Sequence, residues 1–205
     1  MKRVAMSQAV TIHPERNERR DTLDQRLTAF LSSAHYLAIP IPNGLLSQTN
    51  QPAAIPDPVS AWLDEVNVDA IVLSGGNDIG SCPERDLTES RLLEYARRKG
   101  LPALGICRGM QMMGTWSGAT LAPVAGHVKT RHTLHGALSG NVNSFHNLAL
   151  AQCPREFVVI AQSEDDSIEA IRHTSLPWEG WMWHPEREPG FAAEDLRRLQ
   201  TLFGD

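Results

Sequence analysis

Residues 104–111 read Leu-Gly-Ile-Cys-Arg-Gly-Met-Gln, and they are the most informative part of the chain about its fold class. The apolar run 102–106 comes directly before Cys107, and a helical pattern with Met110 and Met113 follows it. A strand that passes into a helix with almost no loop, with a nucleophile at the turn, is the nucleophile elbow. Glycines two positions before and after the cysteine fit this turn, because the backbones there pass close to neighbouring elements. The stretch therefore predicts an α/β fold in which the cysteine stands clear of the sheet.

Strand-like and helix-like patterns alternate along the first half of the chain. Continuous apolar runs suit strands of a parallel sheet, which is buried on both faces, and apolar residues at helical spacing indicate helices. This alternation predicts an α/β fold with a doubly wound, mostly parallel sheet flanked by helices, as a single domain over residues 1–205. The predicted strands are 4–6, 37–41, 69–74 and 102–106, and the predicted helices are 23–34, 59–66, 87–99 and 196–203.

The second half of the chain changes character. Short apolar runs at 157–161, 168–171 and 181–183 are separated by polar turns. They predict strands at the sheet edge or in a small antiparallel portion. Polar segments that contain proline, after the first strand and at 43–58, are interpreted as loops.

Composition argues against several classes of function. The 205 residues carry a net charge of -5, whereas nucleic-acid-binding proteins usually have a basic excess, so no nucleic-acid partner is expected. No apolar run reaches about 18 residues, so no membrane span is expected. The three cysteines have no useful spacing and no export signal accompanies them, which indicates free thiols in a reducing cytoplasm. A homodimer is considered, and the sequence does not decide the oligomeric state.

Cys107 is the candidate nucleophile. At a helix N-terminus the dipole and the free backbone N–H groups favour the thiolate, which is the reactive form. The alternative is that Cys107 is a small buried hydrophobic residue, as most free cysteines are. The strand before it and the helix after it favour the catalytic interpretation. Cys82 and Cys153 lie beside proline in loop-like segments and are interpreted as structural.

The segment Trp183-His184-Pro185-Glu186 supplies a candidate base and a group to orient it. His184 follows a short apolar run, and Pro185 restricts it to the extended region. In an extended chain residues i and i+2 point the same way, so we expect Glu186 to reach one ring nitrogen of His184. The other nitrogen is then left for the thiol of Cys107, as in a catalytic triad.

Acyl transfer also needs donors for the tetrahedral oxyanion. The N–H of Arg108, directly after the nucleophile, is one candidate. The N–H of Gly76, in the loop 75–78 that ends a predicted buried strand, is the second. A phosphate-binding glycine loop is the rival interpretation, but the segment lacks the spacing and the lysine of a P-loop.

Four segments in the same order resemble the class I glutamine amidotransferase superfamily, and more closely its free-standing γ-glutamyl hydrolase branch, peptidase family C26. They are Leu73-Ser74-Gly75-Gly76-Asn77-Asp78, Gly105-Ile106-Cys107-Arg108-Gly109-Met110-Gln111, Val142-Asn143-Ser144-Phe145-His146 and Trp183-His184-Pro185-Glu186. The resemblance implies a flavodoxin-like sheet, a Cys-His-Glu triad, a γ-glutamyl thioester intermediate and no cofactor. It also implies that Gln111 and the backbone around Ser144, Phe145 and His146 hold the glutamyl group, and Asn77 is grouped with these substrate-binding candidates.

Within that branch the chain is most similar to hydrolases of γ-glutamyl-CDP-amidate, which release glutamate and cytidine diphosphoramidate for capsule phosphoramidate. Such a substrate carries a pyrophosphate, which cationic side chains would bind. The basic segment 126–132 stands out in an acidic protein, although a solvated surface loop is the alternative interpretation. The candidate leaving-group contacts are Lys129, Arg131, Arg108 and Arg187, with His127 and His146 as further substrate contacts.

Other functions remain open from the sequence. A hydrolase of γ-glutamyl-γ-aminobutyrate, a glutaminase subunit that passes ammonia to a synthetase, and a non-enzymatic binding protein on the same fold are the alternatives. A metal site formed by His127, His132, His135 and His146 is the rival chemistry. No metal is expected, because these histidines have no Cys, Asp or Glu partner at a familiar zinc spacing.

Overall fold

A computed structural model describes residues 1–46 and 57–204 of the chain. The predicted loop at 43–58 falls mostly outside these residues. The strands are β1 (Arg3–Met6), β2 (Ala9–His13), β3 (Glu18–Thr22), β4 (Leu37–Pro40), β5 (Ala70–Leu73), β6 (Ala103–Ile106), β7 (Leu121–Pro123), β8 (Val128–Gly136), β9 (Gly140–Phe145), β10 (Leu148–Leu150), β11 (Phe157–Gln162), β12 (Ile168–His173) and β13 (Trp178–Trp181). The helices are α1 (Gln25–Ser33), α2 (Pro58–Val66), α3 (Pro83–Lys99), α4 (Arg108–Trp116) and α5 (Ala193–Phe203).

Within residues 1–46 and 57–204, nine strands form one sheet in the order β4-β1-β5-β6-β13-β12-β11-β8-β9. The pairs from β4 to β13 are parallel, and those from β13 to β9 are antiparallel. The prediction of a mostly parallel sheet flanked by helices with an antiparallel portion is therefore confirmed.

The core lies on both faces of the parallel strands. Successive residues of a strand face opposite sides, so in β5 Ile71 and Leu73 pack in one apolar cluster and Ala70 and Val72 in the other. The first cluster joins the sheet to α2, α3 and α4, and the second joins it to α1 and α5. Continuous apolar runs mark these strands in the sequence for that reason. Within the described parts of the chain, no helix has both the length and the apolar character needed to cross a membrane.

One strand lies where the sequence did not predict it. The apolar run 181–183 was expected at the sheet edge or in a small antiparallel portion; the strand is β13, which lies at the centre of the sheet and pairs in parallel with β6 and antiparallel with β12. Glu179 hides the pattern, because a charge is unusual in a central strand. Two contacts stabilise the buried carboxylate of Glu179: Arg198 Nε donates to Oε2 at 2.7 Å, and Trp181 Nε1 donates to Oε2 at 2.9 Å.

A segment interpreted as a loop, and a second for which a surface loop was the alternative interpretation, contain strands. The polar segment after β1 is the hairpin β2–β3, whose side chains are largely exposed, so it has no apolar periodicity to read. Its attachment is polar as well, since Val10 N–H donates to Asn77 Oδ1 at 2.8 Å. The basic segment 126–132 runs into β8, which pairs with β9 and forms the antiparallel end of the sheet.

Candidate active site

Cys107 stands between β6 and α4 in a strained backbone conformation. Its φ of 51° and ψ of -105° are rare for a residue with a side chain and cost about 1–3 kcal/mol. Two hydrogen bonds hold the turn: Cys107 N–H donates to Trp181 O at 2.7 Å, and Gln111 N–H donates to Cys107 O at 3.1 Å. The predicted strand-to-helix turn is therefore present, and strand β13 fixes it from the side.

The two glycines that flank the cysteine have no room for a side chain. A Cβ on Gly105 would lie 2.5 Å from the carbonyl carbon of Gly109, and one on Gly109 would lie 2.1 Å from Leu73 O. Helix α4 therefore starts directly against the ends of β6 and β5. The sequence predicted this requirement from the spacing of the glycines alone.

The Cys107 thiol is buried, with 7% of the residue exposed. Burial raises the pKa of this thiol to about 12, and the opposing effect of the Arg108 N–H is smaller. The sequence predicted that the helix N-terminus would favour the thiolate. In the free protein the loss of solvation outweighs that effect, so the thiol is protonated near neutral pH.

Contacts with Glu186, Asn143 and Gly75 hold His184 in place. Its Nδ1 lies 2.6 Å from Glu186 Oε1, and both side chains are buried. Its backbone N–H donates to Asn143 Oδ1 at 2.9 Å, and its carbonyl accepts from Asn143 Nδ2 at 2.8 Å. A Cβ on Gly75 would stand 2.7 Å from His184 Cε1, so the imidazole packs directly on that glycine. Phe145 packs edge to face with the imidazole, and the centroids of the two rings are 5.8 Å apart.

The contact between His184 and Glu186 forms through a turn rather than through an extended strand. His184 itself is extended, with φ -107° and ψ 90°, as expected before a proline. Residues Pro185–Arg187 form a single 3-10 turn, which returns the carboxylate of Glu186 to the ring. The predicted contact is present, although the geometry that predicted it is wrong.

Cys107 and His184 line one cavity of about 140 Å³. Nδ1 of His184 is engaged by Glu186, so Nε2 is the ring nitrogen left for the thiol or a substrate. The other lining residues come from the glycine loop (residues 75–78), the start of α4, the end of β9 with the segment after it, and the turn after His184. They are Gly76, Asp78, Arg108, Gln111, Phe145, His146, Asn147, Leu148 and Arg187.

The family profile described as "Glutamine amidotransferase class-I" matches residues 46–200 of this chain. The chain belongs to the class I glutamine amidotransferase family. It is a hydrolase of the glutamine amidotransferase type.

Curated relatives of this amidotransferase-family chain differ in their described activities. It is 33% identical to a γ-glutamyl-CDP-amidate hydrolase of Campylobacter jejuni over 141 residues, 66% of this chain and 68% of the relative. It is 35% identical to one subunit of the glutamine-hydrolysing GMP synthase of Methanothrix thermoacetophila over 134 residues, 60% of this chain and 70% of the relative.

A solved structure shares the fold. A protein from Thermoplasma acidophilum, described as a GMP synthase subunit, superposes with a TM-score of 0.71 at 18% identity, over 100% of this chain and 93% of that chain.

The side chain of Arg108 is not available as a leaving-group contact in this glutamine amidotransferase fold. Its guanidinium is 2% exposed and forms ion pairs with Asp86 and Glu89. Its Nε donates to Asn77 O at 2.9 Å, so it ties α4 to the glycine loop and to α3. Only the backbone N–H of Arg108 remains as a candidate for substrate contact.

Three other candidates use their side chains to support the walls of the site. Asn77 forms two hydrogen bonds with the backbone of Val10: its Nδ2 donates to the carbonyl at 2.9 Å, and its Oδ1 accepts from the N–H at 2.8 Å. Ser144 is fully buried, and its Oγ donates to His127 O at 2.8 Å. Gln111 lines the cavity, and its Nε2 donates to Leu148 O at 2.8 Å.

The basic candidates lie in three different places. Lys129 is exposed and does not line the cavity around Cys107. Arg131 pairs with Glu188 at 2.9 Å and lines a separate cavity of about 280 Å³. Arg187 lines the cavity around Cys107 and stacks over Phe145, with 4.7 Å from its Cζ to the ring centroid. Only Arg187 is therefore placed beside the thiol.

Some contributors were not singled out from the sequence. Asn143 was quoted only as part of a motif, yet it holds the backbone of His184 from both sides. Glu89 lies in the middle of α3 and receives the guanidinium groups of Arg85 and Arg108 in a buried cluster. Nothing in the local sequence marks either residue, because their partners come from distant segments.

Proposed function

We propose that this chain hydrolyses a γ-glutamyl amide with Cys107 as nucleophile, His184 as base and Glu186 as the group that orients the base. The observation that carries the proposal is the shared cavity of Cys107 and His184, with the far ring nitrogen of His184 held 2.6 Å from Glu186. Nucleophile, base and orienting carboxylate within reach of one another are the signature of nucleophilic acyl transfer.

In the first step the Cys107 sulfur attacks the γ-carbonyl carbon and its proton passes to Nε2 of His184. The raised thiol pKa supports transfer during the attack rather than a stable thiolate beforehand. The carbonyl oxygen becomes an oxyanion, to which the N–H groups of Gly76 and Arg108 donate. His184 then gives the proton to the leaving nitrogen, the C–N bond breaks, and a γ-glutamyl thioester remains on Cys107.

In the second step His184 takes a proton from water, and the hydroxide attacks the thioester carbonyl. The C–S bond breaks, the sulfur recovers a proton from His184, and glutamate leaves. Glu186 keeps the same tautomer of His184 in both steps and stabilises the imidazolium that forms between them. Gln111 and the segment from Ser144 to His146 hold the glutamyl group against the cavity wall.

For the substrate we propose γ-glutamyl-CDP-amidate, cleaved to glutamate and cytidine diphosphoramidate in capsule phosphoramidate biosynthesis in the cytoplasm. The 33% identity to a hydrolase of that name supports this choice. Arg187 supports it as well, because its guanidinium lies beside the thiol and also borders a second cavity of about 290 Å³ beyond His184. A pyrophosphate next to the scissile bond would reach this guanidinium.

A glutaminase subunit is the second candidate, and the 35% identity to a subunit of a glutamine-hydrolysing GMP synthase favours it. Such a subunit would cleave glutamine and pass ammonia to a synthetase. A hydrolase of γ-glutamyl-γ-aminobutyrate would use the same cysteine with a small leaving group. The three substrates differ only beyond the scissile nitrogen, so one assay separates them.

The test is glutamate release by the purified chain from γ-glutamyl-CDP-amidate, glutamine and γ-glutamyl-γ-aminobutyrate. We expect the highest kcat/KM with the nucleotide amide. Preference for either small amide would refute the nucleotide while keeping the hydrolase, and no release from any of them would refute a free-standing hydrolase.

Variants test the roles of the residues. Cys107→Ala is expected to abolish turnover and Glu186→Gln to lower kcat by about 10² or more, whereas Cys153→Ala serves as the matched cysteine control. Arg187→Ala is expected to raise KM for the nucleotide amide more than KM for glutamine. A Cys107→Ala variant that turns over at the rate of the unmodified chain would sink the assignment.

A further inference from the structure

Three histidines and one glutamate meet on the antiparallel side of the sheet, next to the candidate active site. His127 precedes β8, His132 lies in β8, His146 follows β9 and Glu169 lies in β12. We call these four residues the histidine cluster. His127 and Glu169 are 1% and 0% exposed, and His146 is 2% exposed. Four side chains that can ligate a metal, from in or beside β8, β9 and β12, thus lie together, three of them buried.

The distances between three donors of the histidine cluster, from His127, His146 and Glu169, fit three corners of a tetrahedral metal site, and His132 lies near enough to supply the fourth. Nδ1 of His127 lies 3.3 Å from Nε2 of His146 and 3.4 Å from Oε1 of Glu169, and the latter two atoms are 3.5 Å apart. Zinc binds histidine nitrogen and carboxylate oxygen at about 2.0–2.2 Å, and a tetrahedron of that radius has edges of about 3.3–3.6 Å. One donor atom each from His127, His132 and Glu169 also lies within 4.8 Å of the others.

Two members of the histidine cluster lack the partners that buried polar groups need. Neither carboxylate oxygen of Glu169 has a hydrogen-bond partner among residues 1–46 and 57–204, although the side chain is fully buried. Nε2 of His132 is a buried atom in the same situation within that part of the chain. A buried carboxylate without hydrogen bonds is costly, and a cation between these atoms removes the cost.

The outward-facing nitrogens of His127 and His146 are hydrogen-bonded as those of metal ligands usually are, and that of His132 faces a carboxylate at longer range. Nε2 of His127 lies 2.9 Å from Asp165 Oδ2, and Nδ1 of His146 lies 3.0 Å from Leu148 O. Nδ1 of His132 lies 3.7 Å from Glu164 Oε2. A metal-bound histidine typically gives its other ring N–H to a carboxylate or a backbone carbonyl, which fixes the ring.

We propose that the histidine cluster binds one Zn²⁺ through Nδ1 of His127, Nε2 of His132, Nε2 of His146 and a carboxylate oxygen of Glu169. Four protein donors close the coordination sphere, so the ion is structural and has no open position for a water. It fastens the β8–β9 hairpin to β12. This proposal stands on the cluster alone and does not depend on the proposed function.

The ion also braces one wall of the cavity around Cys107. His146 lines that cavity, and the carbonyl of Leu148 receives both His146 Nδ1 and Gln111 Nε2. An ion that holds His146 in place therefore also holds the Leu148 carbonyl, which is the acceptor for the Gln111 side chain. Removal of zinc is expected to raise KM for a glutamyl substrate more than it lowers kcat.

A metal site at four histidines was considered from the sequence but not expected, because no acidic residue lies at a familiar zinc-ligand spacing from them. The structure brings three of the four together. His135, the fourth, points to the outside of β8 and is exposed. The acidic donor, Glu169, lies on a strand far from the histidines in sequence, which no local spacing could show.

The test uses the full chain, purified without added metal. Its zinc content is measured by elemental mass spectrometry. We expect about one zinc ion per chain, a lower Tm after treatment with a chelator, and recovery of the Tm with ZnCl₂. Replacement by Co²⁺ is expected to give the visible absorption of a tetrahedral site. A chain that contains no zinc, and binds neither Zn²⁺ nor Co²⁺ after chelation, would overturn the proposal without touching the hydrolase assignment.

Variants locate the ion. Glu169→Gln and His132→Ala are expected to lose zinc, and Asp165→Asn, behind His127, to bind it about 10-fold more weakly. His135→Ala removes a histidine from the same strand and is expected to keep zinc and Tm. Equal zinc content in Glu169→Gln and His135→Ala would place the metal elsewhere, and because the wild-type titration needs no variant, misfolding of either leaves the test intact.

Discussion

The Cα of Gly109 lies directly against the carbonyl of Leu73, so close that a Cβ on this glycine would stand 2.1 Å from the carbonyl oxygen. Leu73 is the last residue of β5, and the glycine loop with Gly76 follows it. Gly109 is the second residue of α4, two positions after Cys107. One close backbone approach therefore helps to set the separation between the candidate nucleophile Cys107 and the candidate oxyanion donor Gly76.

Gly109→Ala is expected to destabilise the protein by about 3 kcal/mol or more, because the new methyl group overlaps backbone atoms that cannot move aside. Urea unfolding followed by circular dichroism measures the loss. Gly118→Ala is the control: its φ is 87°, and a Cβ there meets no atom within 4 Å. That control is expected to lose only about 1–2 kcal/mol from backbone strain. Equal losses in both variants would contradict the close approach.

Glu89→Gln is expected to destabilise the protein by about 3 kcal/mol. Glu89 is fully buried and pairs with the guanidinium groups of Arg85 and Arg108, so its neutralisation leaves buried cations short of a counter-charge. Glu94→Gln, on the exposed side of the same helix, removes a surface pair with Arg91 and is expected to change stability by under about 1 kcal/mol. Thermal and urea unfolding of the two variants should separate them clearly, and coincident unfolding curves would refute the role of Glu89.

The alkylation of Cys107 by iodoacetamide is expected to accelerate about tenfold per pH unit from pH 7 to pH 10. Only the thiolate reacts, and burial raises the pKa of this thiol to about 12, so its ionised fraction grows throughout that range. Mass spectrometry of a Cys82→Ser, Cys153→Ser chain isolates this cysteine. A rate that levels off near pH 7 would instead indicate a stable pair between the thiolate and protonated His184.

Asp195→Asn is expected to stabilise the protein at pH 7 by about 1–3 kcal/mol and to give no gain at pH 4. Burial raises the pKa of the Asp195 carboxyl to about 6, whereas an unfolded chain has about 3.9. The folded state therefore holds its proton longer, so stability falls as the pH rises from about 4 to about 6 and stays reduced above that. The amide oxygen can still accept from Trp183 Nε1, which lies 3.3 Å from the carboxylate.

Urea unfolding at pH 4 and pH 7 checks this expectation. Asp166→Asn, at an exposed position, provides the comparison and is expected to change stability equally little at both values. A stability gain for Asp195→Asn that is the same at pH 4 and pH 7 would rule out the buried carboxyl as its source.

The parallel half of the fold could be predicted because its strands bury both faces and therefore appear as unbroken apolar runs. The central position of β13 was not predicted, because Glu179 and Gly180 interrupt its apolar run. Glu179 is tolerated by its pairing with Arg198, and Gly180 is required because a Cβ there would lie 2.7 Å from Met110 Cγ. The hairpin β2–β3 was not predicted, because it faces solvent and its contacts are polar. Burial that depends on a distant partner leaves no local pattern.

The candidate site divides in the same way. Cys107 and His184 could be singled out because each stands at a junction with its own local signature. The placement of the cations could not, since Arg108 and Arg131 look alike in sequence and differ only in the acids that distant segments bring to them. The acidic member of the histidine cluster, Glu169, was missed for the same reason.

The central position of β13 has a consequence for the order in which the protein matures. The strand that delivers His184 inserts between β6 and β12, and its Trp181 carbonyl receives the N–H of Cys107. During synthesis Cys107 leaves the ribosome long before this strand exists. Contacts between such distant segments form late in folding. The nascent chain therefore carries Cys107 without the candidate base, and the two residues come together only when the last third of the protein has completed the sheet.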